Sequence, residues 1–398
     1  MAMVKRLSAV ALGAALGFLV VSAQAADIKL GFNGDLSASP SALSGQAATL
    51  GLQAAMDDVN KAGGVLGDKL TLVVRDDLSQ PPKSIQNMSD LIDNEKLVAI
   101  FGPTNSGNAL AWKRIPDQKH VPVIDTIASG TAITYPLNAS TPNYMFRVSM
   151  VDREQVAGLM AYVKKNPKAK VIGYLAETTG YGQGGLKDIE DIGKLQGVKP
   201  ACVERFGVSD TDMTSQLNKC KQAGVDTIVV WAQGTPLGQL MRSMQKINYF
   251  PLTLMSWAAD NQSFFEAAGK TLAEKPIFMR TITENRTPRQ EQLYKRIVGK
   301  MKSPSAFGFA AQSYDAVMLL SMAIKQANST DGAKIKQALE NLNGKYDGVM
   351  KTYVKPFSAT DHEALTAKDY QWAHWQDGKL VPYKDGIIAA LGAADIKK

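Results

Sequence analysis

Histidine and cysteine are scarce in this chain, with only His120, His362, His374, Cys202 and Cys220 among 398 residues. The histidines share none of the intervals that bring metal ligands together, so no metal centre is expected. Also missing are the G-x-S-x-G, H-E-x-x-H and P-loop patterns, which removes the corresponding hydrolase, metalloprotease and nucleotide-phosphate chemistries. Positive charge is present but not clustered. The net charge of +8 is scattered, which argues against a nucleic-acid surface while suiting a small anionic ligand. After the first 25 residues no stretch approaches the ~18 uninterrupted apolar residues of a membrane span.

Those first residues have a layout of their own. Lys5 and Arg6 precede a mostly apolar run from Leu7 to Val21, followed by Ala23-Gln24-Ala25, which predicts a cleaved secretory leader over residues 1–25. Its removal with Lys5 and Arg6 takes the net charge from +8 to +6. The absence of a twin arginine implies export of an unfolded chain, which disfavours a cofactor loaded beforehand, and the cleavage point has no cysteine for a lipid anchor. An even cysteine count in an oxidising compartment brings a disulfide into consideration.

From Asp27 onward, strand-like and helix-like segments alternate. IKLGF (28–32) leads to a helix from about Ser44 to Ala62, KLTLVVRDD (69–77) to a helix from about Lys83 to Asn94, and VAIF (98–101) to a polar turn and a helix over 108–115. VPVIDTIA (121–128) and NYMFRVSM (143–150) follow as strands. The alternation restarts with a helix over 152–165 and strand VIGYLA (171–176), then continues through ACVERFGV, DTIVVWA (226–232) and LTLMSW (252–257). Two helices are expected over 289–301 and 306–327, and YQWAHW (370–375) reads as an edge strand. This predicts an α/β chain of two Rossmann-like lobes with parallel sheets, whose ligand sites gather beyond the carboxyl ends of the strands. One such loop is Thr104-Asn105-Ser106-Gly107, where a helix N-terminus and the Ser106 hydroxyl favour a small anion; capping of the helix alone is the plainer use.

The segments IKLGFNGDLS, VNKAGGVLGDKL, RDD, FGPTNSG, ETTGYGQG and FAAQSYDAV, in that order, give the chain a further character. It resembles the type I periplasmic solute-binding proteins of the branched-chain amino-acid (Leu/Ile/Val) family, which serve ABC importers. The resemblance implies a periplasmic, monomeric protein without catalysis or cofactor, and a membrane permease as partner. It also implies two lobes closing about a three-segment hinge near Arg147, Pro276 and Pro356. The first lobe would comprise 26–146 and 277–356, the second 147–276 and 357–398.

By that resemblance Ser106, with Asn105 beside it, holds a ligand carboxylate. Ile127, Ala128 and Ser129 assist it, and Tyr181 reaches across from the second lobe. One position departs from the family: where amino-acid-binding members carry a glutamate for the ligand ammonium, this chain aligns Trp257. An ammonium buried without an anion is costly, so Trp257 with Trp231 and Tyr181 points to an aromatic acid. Asp260, after a small shift, would restore an amino acid as the alternative. Gly180, Gly182 and Gly185 satisfy G-x-G-x-x-G with Glu204 downstream, but residues 177–179 intervene after the strand, so a nucleotide-dependent enzyme is disfavoured. Cys202 opens a strand and Cys220 ends the helix returning antiparallel to it, which places the two within reach of a disulfide.

Overall fold

The structure, a computed structural model, describes residues 27–137 and 142–397. The expected leader therefore lies outside the described residues. In the first lobe, strands β1 (Asp27–Gly34), β2 (Lys69–Asp76), β3 (Ala99–Phe101), β4 (Val123–Asp125) and β5 (Met145–Arg147) form a parallel sheet in the order β2-β1-β3-β4-β5. Register is set by buried apolar residues, with Leu30 opposite Ala99 and Phe101 opposite Ile124. In the second lobe β6 (Ile172–Glu177), β7 (Pro200–Phe206), β8 (Thr227–Trp231) and β9 (Leu252–Met255) make another parallel sheet, β7-β6-β8-β9. β6 and β8 are buried along their whole length, as parallel strands covered on both faces must be.

Helix α1 (Ala42–Lys61) shows how tightly the layers pack. A side chain at Gly51 would meet the Ala310 carbonyl oxygen at 2.0 Å, so α1 and the helix Phe307–Ala327 run nearly backbone to backbone. With the turn before it, that second helix is the one stretch among the described residues long and apolar enough to cross a membrane, and it is spent on the core.

The strands are shorter than their apolar runs suggest. VPVIDTIA yields only Val123–Asp125, because the buried Asp125 carboxylate accepts from the amides of Ile127 and Ala128, at 2.9 and 2.8 Å, and turns the chain out of the sheet. The lobe boundaries also shift. Ile277 bridges to Leu254 and β10 (Phe278–Arg280) pairs with Gln371–Gln376, so residues 277–280 belong with the second lobe. Glu363 bridges to Arg147, and Phe357 packs on Phe146, so residues 357–363 stay with the first. The crossings thus follow Arg147, Arg280 and Glu363 rather than falling at Arg147, Pro276 and Pro356. Gln371–Gln376, expected as an edge, lies at the centre of a three-stranded antiparallel sheet between Phe278–Arg280 and Lys379–Pro382.

At the first crossing the buried Arg147 guanidinium donates to Glu363 Oε2 and Oε1 at 2.8 and 2.7 Å, to Thr134 Oγ1 at 2.8 Å, and to the carbonyls of Ala128 and Gly130 at 3.2 and 3.0 Å. His362, also buried, stacks on Phe146 and makes a 2.8 Å contact with the Met145 carbonyl, which is a structural use of a histidine. Cys202 on β7 and Cys220 on the helix Thr214–Gln222 are joined by a disulfide, with Cα atoms 5.2 Å apart. Closing this short loop contributes roughly 3 kcal/mol in the chain-entropy account.

Candidate ligand-binding site

The carboxyl ends of β1, β3 and β4 face those of β6, β8 and β9 across a cleft of about 50 Å³. That is several times the ~10–15 Å³ needed by one water, and it suits a small ligand. On the first-lobe side the chain leaves β1 through Asp35, whose carboxylate accepts from the amides of Ser37, Ala38 and Ser39 and folds the loop so that Ser41 and Ser44 line the cleft. Leaving β3, Thr104 Oγ1 accepts from the Asp35 amide at 3.0 Å. Asn105 Oδ1 accepts from the Gly107 amide at 2.9 Å and so caps the short helix Ser106–Trp112. That helix is fixed from behind by a buried polar net: Asn108 donates to Asp77, and Trp112 Nε1 donates to Ser84 Oγ.

Ser106 is buried in the cleft wall, and its Oγ accepts from the Gly130 amide at 3.0 Å, which leaves the hydroxyl proton free to donate. Ile127, Ala128 and Ser129 line the cleft as well. The amides of Ile127 and Ala128, however, already donate to Asp125 Oδ1 and are not free to assist an anion as N–H donors. Burial raises the Asp125 carboxyl to about 7, against the pull of Arg147.

On the second-lobe side, the helix Gly180–Gln196 is capped by Thr179, so Tyr181 lies in its first turn. A side chain at Gly182 would strike the Glu177 carbonyl at 2.1 Å and one at Gly185 the Trp231 indole at 2.0 Å. The glycine pattern is thus a packing requirement of helix on strand. Tyr181 lines the cleft, but Trp231 stands behind it, fully buried with ring centres 6.2 Å apart, and is not part of the wall.

Trp257 does line the cleft, and its indole is committed. Nε1 donates to Ser129 Oγ at 3.1 Å across the lobes, while the ring packs 5.0 Å from that of Phe309. Further cross-lobe bonds run from Asn261 to Ser44 Oγ at 3.2 Å and from Ser263 to the Pro40 carbonyl at 3.3 Å. Gly107 and Gly180 bring the lobes together at the backbone, where a Cβ on Gly180 would lie 2.7 Å from the Gly107 Cα. The described conformation is therefore closed.

The residues that sequence reasoning missed include Ser41, Ser44, Gln233, Asn261 and Phe309. Position after a strand end was the available signal for Gln233 and Asn261. Asp260, weighed only as an alternative, lies in the wall and is buried. Its Oδ2 is 3.8 Å from Arg280 Nη2, its Oδ1 has no hydrogen-bond partner among the described residues, and burial raises the carboxyl to about 6 against the opposing pull of Arg280. Among the described residues no group of three or more His, Cys, Asp or Glu side chains could hold a metal ion.

The family profile described as periplasmic binding protein matches residues 27–379. The chain belongs to that family. This periplasmic binding protein is 25% identical over 379 residues to a Leu/Ile/Val-binding protein homolog of Brucella melitensis, covering 95% of this chain and 98% of the relative. It is 24% identical over 323 residues, 81% of this chain and 84% of the relative, to the leucine-, isoleucine-, valine-, threonine- and alanine-binding protein of Pseudomonas aeruginosa. A type 1 periplasmic binding protein from Bordetella pertussis has a similar structure, with TM-score 0.80, 25% identity and coverage of 90% of this chain and 100% of that one. So does a branched-chain amino acid transporter substrate binding protein from Streptococcus pneumoniae in complex with isoleucine, with TM-score 0.75, 25% identity and coverage of 89% and 98%. This is a solute-binding protein of the kind that serves ABC importers, and not an enzyme.

Closure makes a specific demand on Gly180. Gly180→Ala places a methyl against the backbone of Gly107 only when the lobes are shut. Overpacking of this sort costs about 1–3 kcal/mol, so ligand affinity is expected to fall roughly tenfold while the melting midpoint of ligand-free protein stays unchanged. Calorimetric titration beside thermal melts checks this. A lowered midpoint with unchanged affinity would mark an ordinary packing defect instead.

Proposed function

We propose that this periplasmic binding protein captures a small α-amino acid between its lobes and presents the closed form to the permease of an ABC importer. The observation that carries this reading is Asp260, a buried carboxylate in the cleft wall with one oxygen unpaired among the described residues. A carboxylate so placed needs a cation, and Arg280 at 3.8 Å is too far to serve as a close hydrogen-bonded partner. The ligand ammonium supplies one, while the Ser106 hydroxyl, on the opposite lobe, meets the ligand carboxylate. A zwitterion bridges the two lobes, so binding stabilises the closed state over the open one.

The aromatic acid expected from Trp257 fits less well. The indole is already engaged with Ser129 and Phe309, and an acid lacking an amino group would leave Asp260 with only the 3.8 Å contact to Arg280 while adding a second negative charge to the cleft. The amino acids for which the Brucella and Pseudomonas relatives are named, and isoleucine in the Streptococcus complex, support the same choice. The experiment is a thermal-shift panel, since a ligand that binds only the folded state raises its midpoint. Small and branched amino acids are expected to raise it and benzoate-like acids not. The opposite pattern would overturn the reading.

A further inference from the structure

Resting on that reading, we infer that the preferred amino acid carries a hydrogen-bond donor on its own side chain, a hydroxyl or carboxamide, and that Gln233 selects for it. Gln233 follows β8, lines the cleft and is 6% exposed. Its backbone amide donates to Glu177 Oε2 at 2.9 Å and its Nε2 donates to Glu177 Oε1 at 3.2 Å. Thr179 Oγ1 donates to the same carboxylate at 2.5 Å. Glu177 is thus an acceptor for three donors, and a flipped Gln233 amide would set oxygen against oxygen. The orientation is fixed by this arrangement, which leaves Gln233 Oε1 as the end turned away from Glu177, buried and without a donor among the described residues.

The neighbouring polar groups do not satisfy it. Asn261 is bonded elsewhere at both ends, its Nδ2 donating to Ser44 Oγ and its Oδ1 accepting from the Ser263 amide. Since Asp260 takes the ammonium, the donor that reaches Gln233 comes from the ligand side chain. An aliphatic side chain shut over that oxygen desolvates it without a bond, which weakens binding by roughly 5- to 150-fold against a ligand that donates.

The test uses pairs of nearly equal shape, threonine with valine, asparagine with leucine and glutamine with methionine, titrated by calorimetry into the full exported protein. In at least one pair the donor-bearing member is expected to bind five-fold or more tightly than its apolar counterpart. In Gln233→Met that ratio is expected to fall to about one or invert. If valine, leucine and methionine each bind as tightly as their partners, the selection is wrong while the amino-acid reading stands. A ratio unchanged in Gln233→Met removes Gln233 from the role. Binding of none of the six overturns both. The wild-type comparison needs no variant, so a misfolded Gln233→Met leaves the proposal open to refutation.

Discussion

Asp260→Asn is expected to weaken amino-acid binding by two orders of magnitude or more. The substitution keeps the shape of the side chain and removes the one anion that the described residues place in the cleft wall. Truncating one partner of a buried, hydrogen-bonded charge pair costs about 2–5 kcal/mol, because the other charge is left desolvated and alone. Arg280 loses its anionic neighbour too, so a general loss of fold has to be separated from a loss of the ammonium contact. The desamino acid of the same ligand makes that separation. It should bind wild-type protein poorly and bind Asp260→Asn no worse, whereas an unfolded variant binds neither.

The same group gives the affinity a pH dependence whose sign follows from its shift. With the carboxyl raised to about 6 by burial, Asp260 is charged at pH 7.5 and mostly protonated at pH 5. Protonation abolishes the attraction for an ammonium, so affinity is expected to fall roughly tenfold per pH unit below about 6, and the slope should vanish in Asp260→Asn. Stability runs the other way. A folded-state value above the ~3.9 of an unfolded aspartate means that the folded chain holds this proton more tightly, so the cost of burying the charge is full above about 6 and disappears as pH falls toward 4. Ligand and fold therefore pull this side chain in opposite directions. That conflict is the mark of a residue kept for binding.

Much of the architecture was legible because its cause is local. The apolar runs of β1, β3 and β8 end in small or polar residues, and the helix over Phe307–Ala327 carries its apolar character for its full length. Features set by distant pairing were not legible. Phe278–Arg280 belongs with the second lobe because it hydrogen-bonds to a strand about ninety residues later, and no property of those three residues announces it. The start of the helix at Gly180 was hidden by glycines, poor helix formers, of which Gly182 and Gly185 let the helix approach Glu177 and Trp231 while Gly180 meets Gly107; Thr179 as its cap was the signal to follow. In the site, residue types were readable and their commitments were not. Asp125 claims the amides of Ile127 and Ala128, and Ser129 claims the Trp257 indole, so groups that sequence assigns to a ligand are holding the cleft in shape.

With those amides engaged, recognition of a ligand carboxylate is left, in the proposed reading, largely to the hydroxyl of Ser106, and Ser106→Ala is expected to weaken binding roughly ten- to a hundredfold. A hydrogen bond to a charged group contributes about 1.5–3 kcal/mol, which sets that range. The substitution also leaves the Gly130 amide without its acceptor, but the loop is held independently, since Arg147 binds the carbonyls of both Ala128 and Gly130. The melting midpoint of ligand-free protein should therefore change little. A ligand whose carboxylate is replaced by an amide discriminates further: its neutral carbonyl gains less from the hydroxyl, so its affinity should drop by a smaller factor in Ser106→Ala than that of the parent amino acid. Equal losses for acid and amide would mean that the loop has moved, and no loss for either would place the carboxylate elsewhere in the cleft.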